Sequence, residues 1–536
     1  MRLLDTGTLL GSVIPEKILD FIHSDPERDS IAEIEARNRT LRSEKKDIYT
    51  EPNIGDRSDW YTDAVFCQQQ FTGANPTTIT VASADWVDQF KTAAKVQHND
   101  KMSTLLGSTN ANSLYVQDCS YFRAAIGVAP SATMKSDDGE RFACAAVSLF
   151  QLNDDGKLHP LAIVIDYKET MDKSVVIFNN RLHASDPTDS EATDWPWRYA
   201  KLCAQISDWT RHEATIHLTN THFVEEAVIV AAHRAFPIDH VVYQLLQPHW
   251  LKTFSLNASA RSALVPQVIV KLVGFTEAQL YAFIKDAYKR FDWTALYIPS
   301  DLKNRGFPAD ELNSTKFHNY VYGKNMSIMW QVLRTFVSSV LATSFTSDEQ
   351  VVRDSSIAAW AAEMRSASGA SIESFPEIKT VNELVDAVVM CIHIASPQHT
   401  AVNYLQEYYQ SFVINKPPAL CAPAPNTIES LRAYKESDLM RALPVKRPRE
   451  WLLASHLPHL LSYKVAEDQN LVNYAVSLAK LSAQKGDSAV ASAATTLYTQ
   501  LVECIEVFKQ NSKAMDDNTV PYNVLDPVAT AISILI

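Results

Sequence analysis

Residues 197–236 read WRYAKLCAQISDWTRHEATIHLTNTHFVEEAVIVAAHRAF, and residues 383–405 read ELVDAVVMCIHIASPQHTAVNYL. Both stretches are apolar on most sides, and a helix that is apolar nearly all round belongs in the centre of a large bundle. Both also carry histidines. In the first, His212, His217 and His222 recur every five residues. Five residues turn an ideal α-helix by about 500°, leaving consecutive histidines roughly 140° apart. Two of them can hold one ion only where the helix is widened, as a π-bulge widens it, and such bulges concentrate at functional sites. In the second stretch His399 and Asn403 stand four apart and share a face without distortion.

Working outward, helical patterns recur at 198–234, 325–345, 380–411 and 470–510, separated by proline-rich loops such as KPPALCAPAPN at 416–426. Two strand-like runs, FACAAVSLFQL (142–152) and LAIVIDY (161–167), flank Asn153-Asp154-Asp155-Gly156, which has the turn chemistry of a hairpin. Residues 1–50 are polar and charged, as in EIEARNRTLRSEKKD, and read as an N-terminal arm or helical extension. The expected fold is mainly α: one large helical domain over 51–536, built around the two histidine helices, with a small antiparallel β region.

The net charge is −13, from 49 basic and 62 acidic side chains. No basic stripe offsets that field, so nucleic acid is excluded as a partner. No Gly-rich loop follows a strand, which argues against nucleotide binding. The seven cysteines (Cys67, Cys119, Cys144, Cys203, Cys391, Cys421, Cys504) form no CxxC pair, so neither a thiolate zinc site nor a disulfide framework is indicated. The start, MRLLDTGTLLGSVIPEK, is a poor signal peptide because Asp5 interrupts its apolar core. A cytoplasmic monomer is expected, with secretion left open by N-x-S/T sequons at Asn38, Asn257, Asn313 and Asn325. No uncharged run is long enough to span a membrane.

Neutral imidazoles with an amide oxygen suit iron or manganese better than a thiolate-loving metal. A lone buried histidine is usually a hydrogen-bonded core residue, and His233, His240, His249 and His393 are read that way. His393 lies six residues before His399 and points to another side of the helix. The chain ends DPVATAISILI, and an apolar end is odd because its carboxylate must reach water or meet a cation. A metal ion inside the bundle is one such cation; a tail packed on the surface with a solvated carboxylate is the alternative.

The 197–236 segment closely resembles the metal-binding helix of lipoxygenases, and CIHIASPQHTAVNYLQEYY (391–409) resembles their second ligand helix. The terminal isoleucine matches their carboxylate ligand. FCQQQFTGANP (66–76), PHWLKTFSLNASARSALV (248–265) and the NDDG hairpin fit the same pattern, so the resemblance runs from about residue 60 to 536. It implies a compact form without the N-terminal β-sandwich, as in fungal or bacterial members. The implied ligands are His217, His222, His399, Asn403 and the carboxylate of Ile536. His212 falls on a neighbouring, non-ligand histidine, and Gln406 on a glutamine that braces the asparagine. Glu213 departs from the pattern, where many members carry glutamine, and a carboxylate cannot donate as an amide does. Ala260 falls where small side chains control oxygen entry, and Leu264 where a side chain packs on the reacting carbon; both are also ordinary helix-core residues.

The resemblance implies a dioxygenase with one non-haem iron, or manganese, that inserts O2 into the 1,4-pentadiene of linoleate-type polyunsaturated fatty acids. Conjugated hydroperoxides are the expected product. A catalytically silent lipid-binding protein of the same fold is the rival from another class, and all five filled ligand positions weigh against it. A zinc hydrolase would want H-E-x-x-H, whereas the histidine after His212-Glu213 comes five residues on.

Overall fold

The structure, a computed structural model, describes residues 30–45, 49–462 and 464–536. They gather into two compact units, each built from separate stretches of chain. The first takes the described residues up to Ala214 together with Ser259–Asp286 and Leu405–Ser462, the second Thr215–Ala258, Ala287–Tyr404 and the stretch to Ile536.

The first unit contains the β structure. Five strands, β1 (Thr80–Val81), β2 (Leu114–Asp118), β3 (Val147–Leu152), β4 (Leu158–Val164) and β5 (Val176–Phe178), form one antiparallel sheet in sequence order. The expected hairpin is its centre: Leu152 pairs with Leu158 around the NDDG turn, where Gly156 takes φ +85°. That left-handed conformation is the one glycine adopts at little cost. The sheet extends beyond the expected hairpin, and β1 and β5 are too short to show a period in the sequence. β4 is buried along its whole length, so it lacks the alternation of a half-exposed strand. Phe90, Leu106, Leu114, Leu149 and Leu161 pack into one core against it. Within the expected N-terminal arm, Ile31–Ser43 is an α-helix. Ser30 opens it with a reciprocal capping box, accepting from the Glu33 amide at 3.3 Å and donating its own amide to the Glu33 carboxylate at 3.2 Å. The part of the arm before residue 30 lies outside the described residues.

The second unit is helical. Its long helices include α3 (Val321–Leu341), α4 (Val381–His393), α6 (Leu471–Gln484) and α7 (Ser488–Lys513); of the histidine segments, α1 (Trp195–Arg211) lies in the first unit, and α2 (Val224–Ala235) and α5 (His399–Asn403) in the second. α3 packs on α4 and α7, and α7 on α6. The single pattern at 470–510 is two helices because Gly486, at φ +79°, ends the first. Asp487 then caps the second by accepting from the Val490 amide at 3.0 Å. α4 is buried at Leu384, Val385 and every position from Ala387 to His393, the all-round apolar helix that its composition predicts. Of the four sequons, Asn257 and Asn325 are fully buried, so neither side chain can carry a glycan as the chain is folded. No helix of the described residues is long and apolar enough to cross a membrane.

Candidate metal centre

The first histidine segment begins as α1 (Trp195–Arg211), capped by Asp194, which accepts from the Trp197 amide at 3.1 Å. From His212 to Phe223 the chain winds as a π-helix, and it returns to α geometry in α2 (Val224–Ala235). Hydrogen bonding from i to i+5 brings residues five apart towards one face. This is the widening that the histidine spacing requires. Thr221 supports it from within, its hydroxyl donating to the His217 carbonyl and so competing with the main-chain ladder. The second segment behaves in parallel. α4 passes into a π turn at Ile394–Gln398, which contains Pro397, and continues as α5 (His399–Asn403). Proline offers no N–H to the α ladder, which accounts for the break just before His399.

These two local distortions meet in the second unit. His222 Nε2 lies 3.3 Å from His217 Nε2 and 3.2 Å from His399 Nε2, and all three rings are buried. Among the described residues these three form the one group of histidine, cysteine and acidic side chains whose ligand atoms converge, all within 4.8 Å of one another. Burial holds His399 well below the usual imidazole range, and His222 and His217 push the same way, while the main chain of Ile536 opposes them. His399 is therefore neutral.

The tautomer of His222 is fixed by a residue that sequence reasoning passed over. Asn257 donates through Nδ2 to the His222 carbonyl and to Glu226 Oε2, both at 2.7 Å. Its amide orientation is thereby set, and its Oδ1 faces His222 Nδ1 at 2.9 Å. Nδ1 must then carry the proton, which leaves the Nε2 lone pair facing the other two rings. A lone pair aimed into a cluster of buried imidazole nitrogens calls for a proton or a cation. Nitrogens about 2.1 Å from a shared centre stand about 3.0–3.4 Å apart for ligand angles of roughly 90–110°. The observed separations match, so the donor set fits a first-row divalent metal.

The chain's C-terminal segment belongs to the same unit and is buried from Thr530 through Ile534 and again at Ile536. The apolar tail is therefore interior, as its composition suggests. His249, set apart as a core histidine, has a defined partner there: its ring lies 2.6 Å from the Ile532 carbonyl through Nδ1, and burial pushes it down to about 4. His393 is also neutral, pushed by burial to about 3, with its ring edge-on to Trp330. Glu225 lies three residues beyond His222, and burial raises its carboxyl well above the usual range, with Trp250 donating to Oε1 at 3.0 Å.

The comparisons with known proteins agree with this geometry. The family model described as lipoxygenase matches residues 130–524. A protein named manganese lipoxygenase, from Pleurotus sapidus, is 49% identical over all of this chain and 84% of its own length. A crystal structure of a fungal lipoxygenase from Fusarium graminearum superposes with a TM-score of 0.91 at 42% identity, covering 95% of this chain and 85% of that one. The chain belongs to the lipoxygenase family. More distant is a rice protein named linoleate 9S-lipoxygenase 1, 27% identical over 74% of this chain but only 47% of its own length.

The other lipoxygenase positions picked out in the sequence are placed as follows. Asn403, at the end of α5, is fully buried. In the first unit His212 is outside the cluster, with its Nδ1 3.2 Å from Glu213 Oε1 and 3.3 Å from Gln410 Nε2. Glu213 and Gln410 thus meet the same ring nitrogen, one as an acceptor and the other as a donor, so a given tautomer satisfies only one of the two. Gln406 is fully buried at the start of the Gln406–Gln410 helix. Ala260 is buried and Leu264 half-buried on a third π segment, Ala260–Val268, which contains Pro266.

Proposed function

We propose that this lipoxygenase binds one manganese or iron ion through His217, His222, His399, Asn403 and the carboxylate of Ile536. Its substrates would be linoleate-type polyunsaturated fatty acids and O2, and its products conjugated hydroperoxides. The observation that carries the reading is the convergence of three buried Nε2 atoms, 3.2–3.3 Å apart where measured from His222, around a lone pair that Asn257 fixes. The donor set accepts either metal, and the name of the Pleurotus relative moves the reading from iron towards manganese. Bound there, the metal supplies the one-electron oxidant that homolytic cleavage of a bis-allylic C–H bond requires.

The protein's own contribution is placement and exclusion. Asn257 and Glu226 hold the His222 ring in one orientation, so no reorganisation is needed when a ligand is bound. The apolar helices α2 and α4 surround the histidines with hydrocarbon, which keeps water from a radical intermediate. A buried C-terminal carboxylate adds one negative charge that a cation offsets. Ala260 and Leu264 are read as the small and the bulky wall beside the reacting pentadiene, with Ala260 controlling where O2 enters. The enzyme is taken to work as a monomer.

Metal-replete protein mixed with linoleate in air should consume O2 and generate ultraviolet absorbance of a conjugated diene. No oxygen uptake with any 1,4-pentadiene fatty acid would sink the reading. Chiral chromatography of the products then tests the pocket: Ala260→Gly should alter the positional and chiral composition, and an unchanged profile removes Ala260 from the site.

A further inference from the structure

The C-terminal segment is tied to the helix that carries His399. Ser396, three residues before that histidine, donates its hydroxyl to the Ala531 carbonyl at 2.5 Å. Thr400, one residue after it, accepts from the Ala531 amide at 3.2 Å. Both polar groups of a single residue are thus taken by side chains that straddle a candidate ligand. All three residues are fully buried, so water cannot substitute for either bond. Outer contacts continue the grip: the Ile532 amide donates to the Gln469 carbonyl at 2.9 Å, and the Ile532 carbonyl faces His249 at 2.6 Å.

An extended segment can slip along its own axis by two residues, about 7 Å, and still turn the same face to its surroundings. Apolar packing of Ile532, Ile534 and Ile536 therefore leaves the register of the tail poorly determined. A hydroxyl pair that recognises both the N–H and the C=O of one residue removes that freedom. Ala531 stands five residues before the terminus, so fixing it fixes where the chain ends.

We infer that Ser396 and Thr400 are positioning residues that lock Ala531 to the His399 helix and thereby deliver the Ile536 carboxylate to the histidine cluster. The inference rests on the proposed role of that carboxylate as a ligand. One helix then sets two ligands at once, a ring directly and the chain terminus through a clamp one turn wide.

The test uses the full chain and compares wild type with Ser396→Ala/Thr400→Val, Thr400→Ser and a variant lacking Ile536. Mn2+ affinity is measured by chelator competition, the Mn2+ electron paramagnetic resonance signal is recorded, and the metal-free proteins are melted. The double variant should bind Mn2+ about 10–100-fold more weakly, with an altered resonance signal, as for other groups that orient ligands. Thr400→Ser keeps the acceptor and should retain near wild-type affinity and signal. If the double variant fails to fold, Thr400→Val alone against Thr400→Ser makes the same comparison. Loss of Mn2+ on removing Ile536, with no loss in the clamp variants, overturns the clamp and leaves the carboxylate reading standing. Undiminished Mn2+ binding without Ile536 overturns the carboxylate reading, and the clamp with it. A clamp variant that melts lower but binds Mn2+ with unchanged affinity and signal shows packing alone and also overturns the inference.

Discussion

Each unit of this lipoxygenase buries a polar cluster, and the two clusters are built on opposite principles. In the first unit Asp63 accepts from Lys201 at 2.9 Å, Trp197 at 2.7 Å, Asn179 at 2.8 Å and Arg181 at 3.1 Å, while Arg181 also pairs with Glu191. Burial by itself would raise the Asp63 carboxyl, but the Lys201 charge and the donated hydrogen bonds pull it to about 2. Charges match and acceptors meet donors. In the second unit three buried rings aim nitrogens at one point, and the Asn257 bond to His222 Nδ1 turns the His222 Nε2 lone pair towards the other two. A saturated cluster holds a fold together; a convergent cluster short of protons waits for a cation. Burial and polarity alone do not separate structure from function, but the balance of donors and acceptors does.

The sharpest way to break this contrast is to unbalance the saturated cluster. Asp63→Ala leaves the Lys201 and Arg181 charges without this buried partner, and denaturant titration should show a loss of about 3–5 kcal/mol. Metal content per folded chain should stay at the wild-type level. A matching loss of metal would show that the two clusters are not the separate devices described above.

A smaller effect is expected where the convergent cluster is tuned without removing a ring. Asn257→Leu frees His222 to take either tautomer, and chelator competition should report metal affinity weaker by about 10–100-fold. Unchanged affinity would assign Asn257 to packing alone.

Smaller again is the pH dependence contributed by the neutral core histidines. His393 and His249 are held at about 3 and about 4, below the roughly 6.5 of an unfolded histidine. As pH falls below about 6.5 the unfolded chain takes up protons that the folded chain refuses, so stability falls towards pH 3–4 by up to about 1.4 kcal/mol per pH unit for each ring. His393→Leu should flatten that decline by one ring's share between pH 6 and 5 in denaturant titrations. An unchanged slope would mean that His393 is protonated in the folded state.

Local rules made much of the centre legible before any coordinates. The five-residue spacing of His212, His217 and His222 demanded a widened helix, and the π segment supplies it. The four-residue spacing of His399 and Asn403 placed both on one short α-helix, and the NDDG turn closes its hairpin. The missing parts are those that depend on partners distant in sequence. Asn257 stands 35 residues beyond His222 and looked like a glycosylation sequon, while its side chain is buried and bonded to the His222 ring. His249 meets Ile532 across 283 residues, and no periodicity encodes that meeting. The Glu225-Glu226 pair resembles a solvated face, yet Glu225 is wholly buried and Glu226 binds Asn257. The division into two units was hidden because each is assembled from stretches far apart in sequence.

The proposed metal centre rests on His217, His222 and His399 holding one ion together. Elemental analysis of wild type and of a His217→Ala/His222→Ala/His399→Ala variant, each loaded with manganese or iron and freed of excess, tests it directly. One ion per chain is expected for wild type and none for the variant, with circular dichroism confirming that the variant is folded. A variant that still carries one ion per chain would contradict the account.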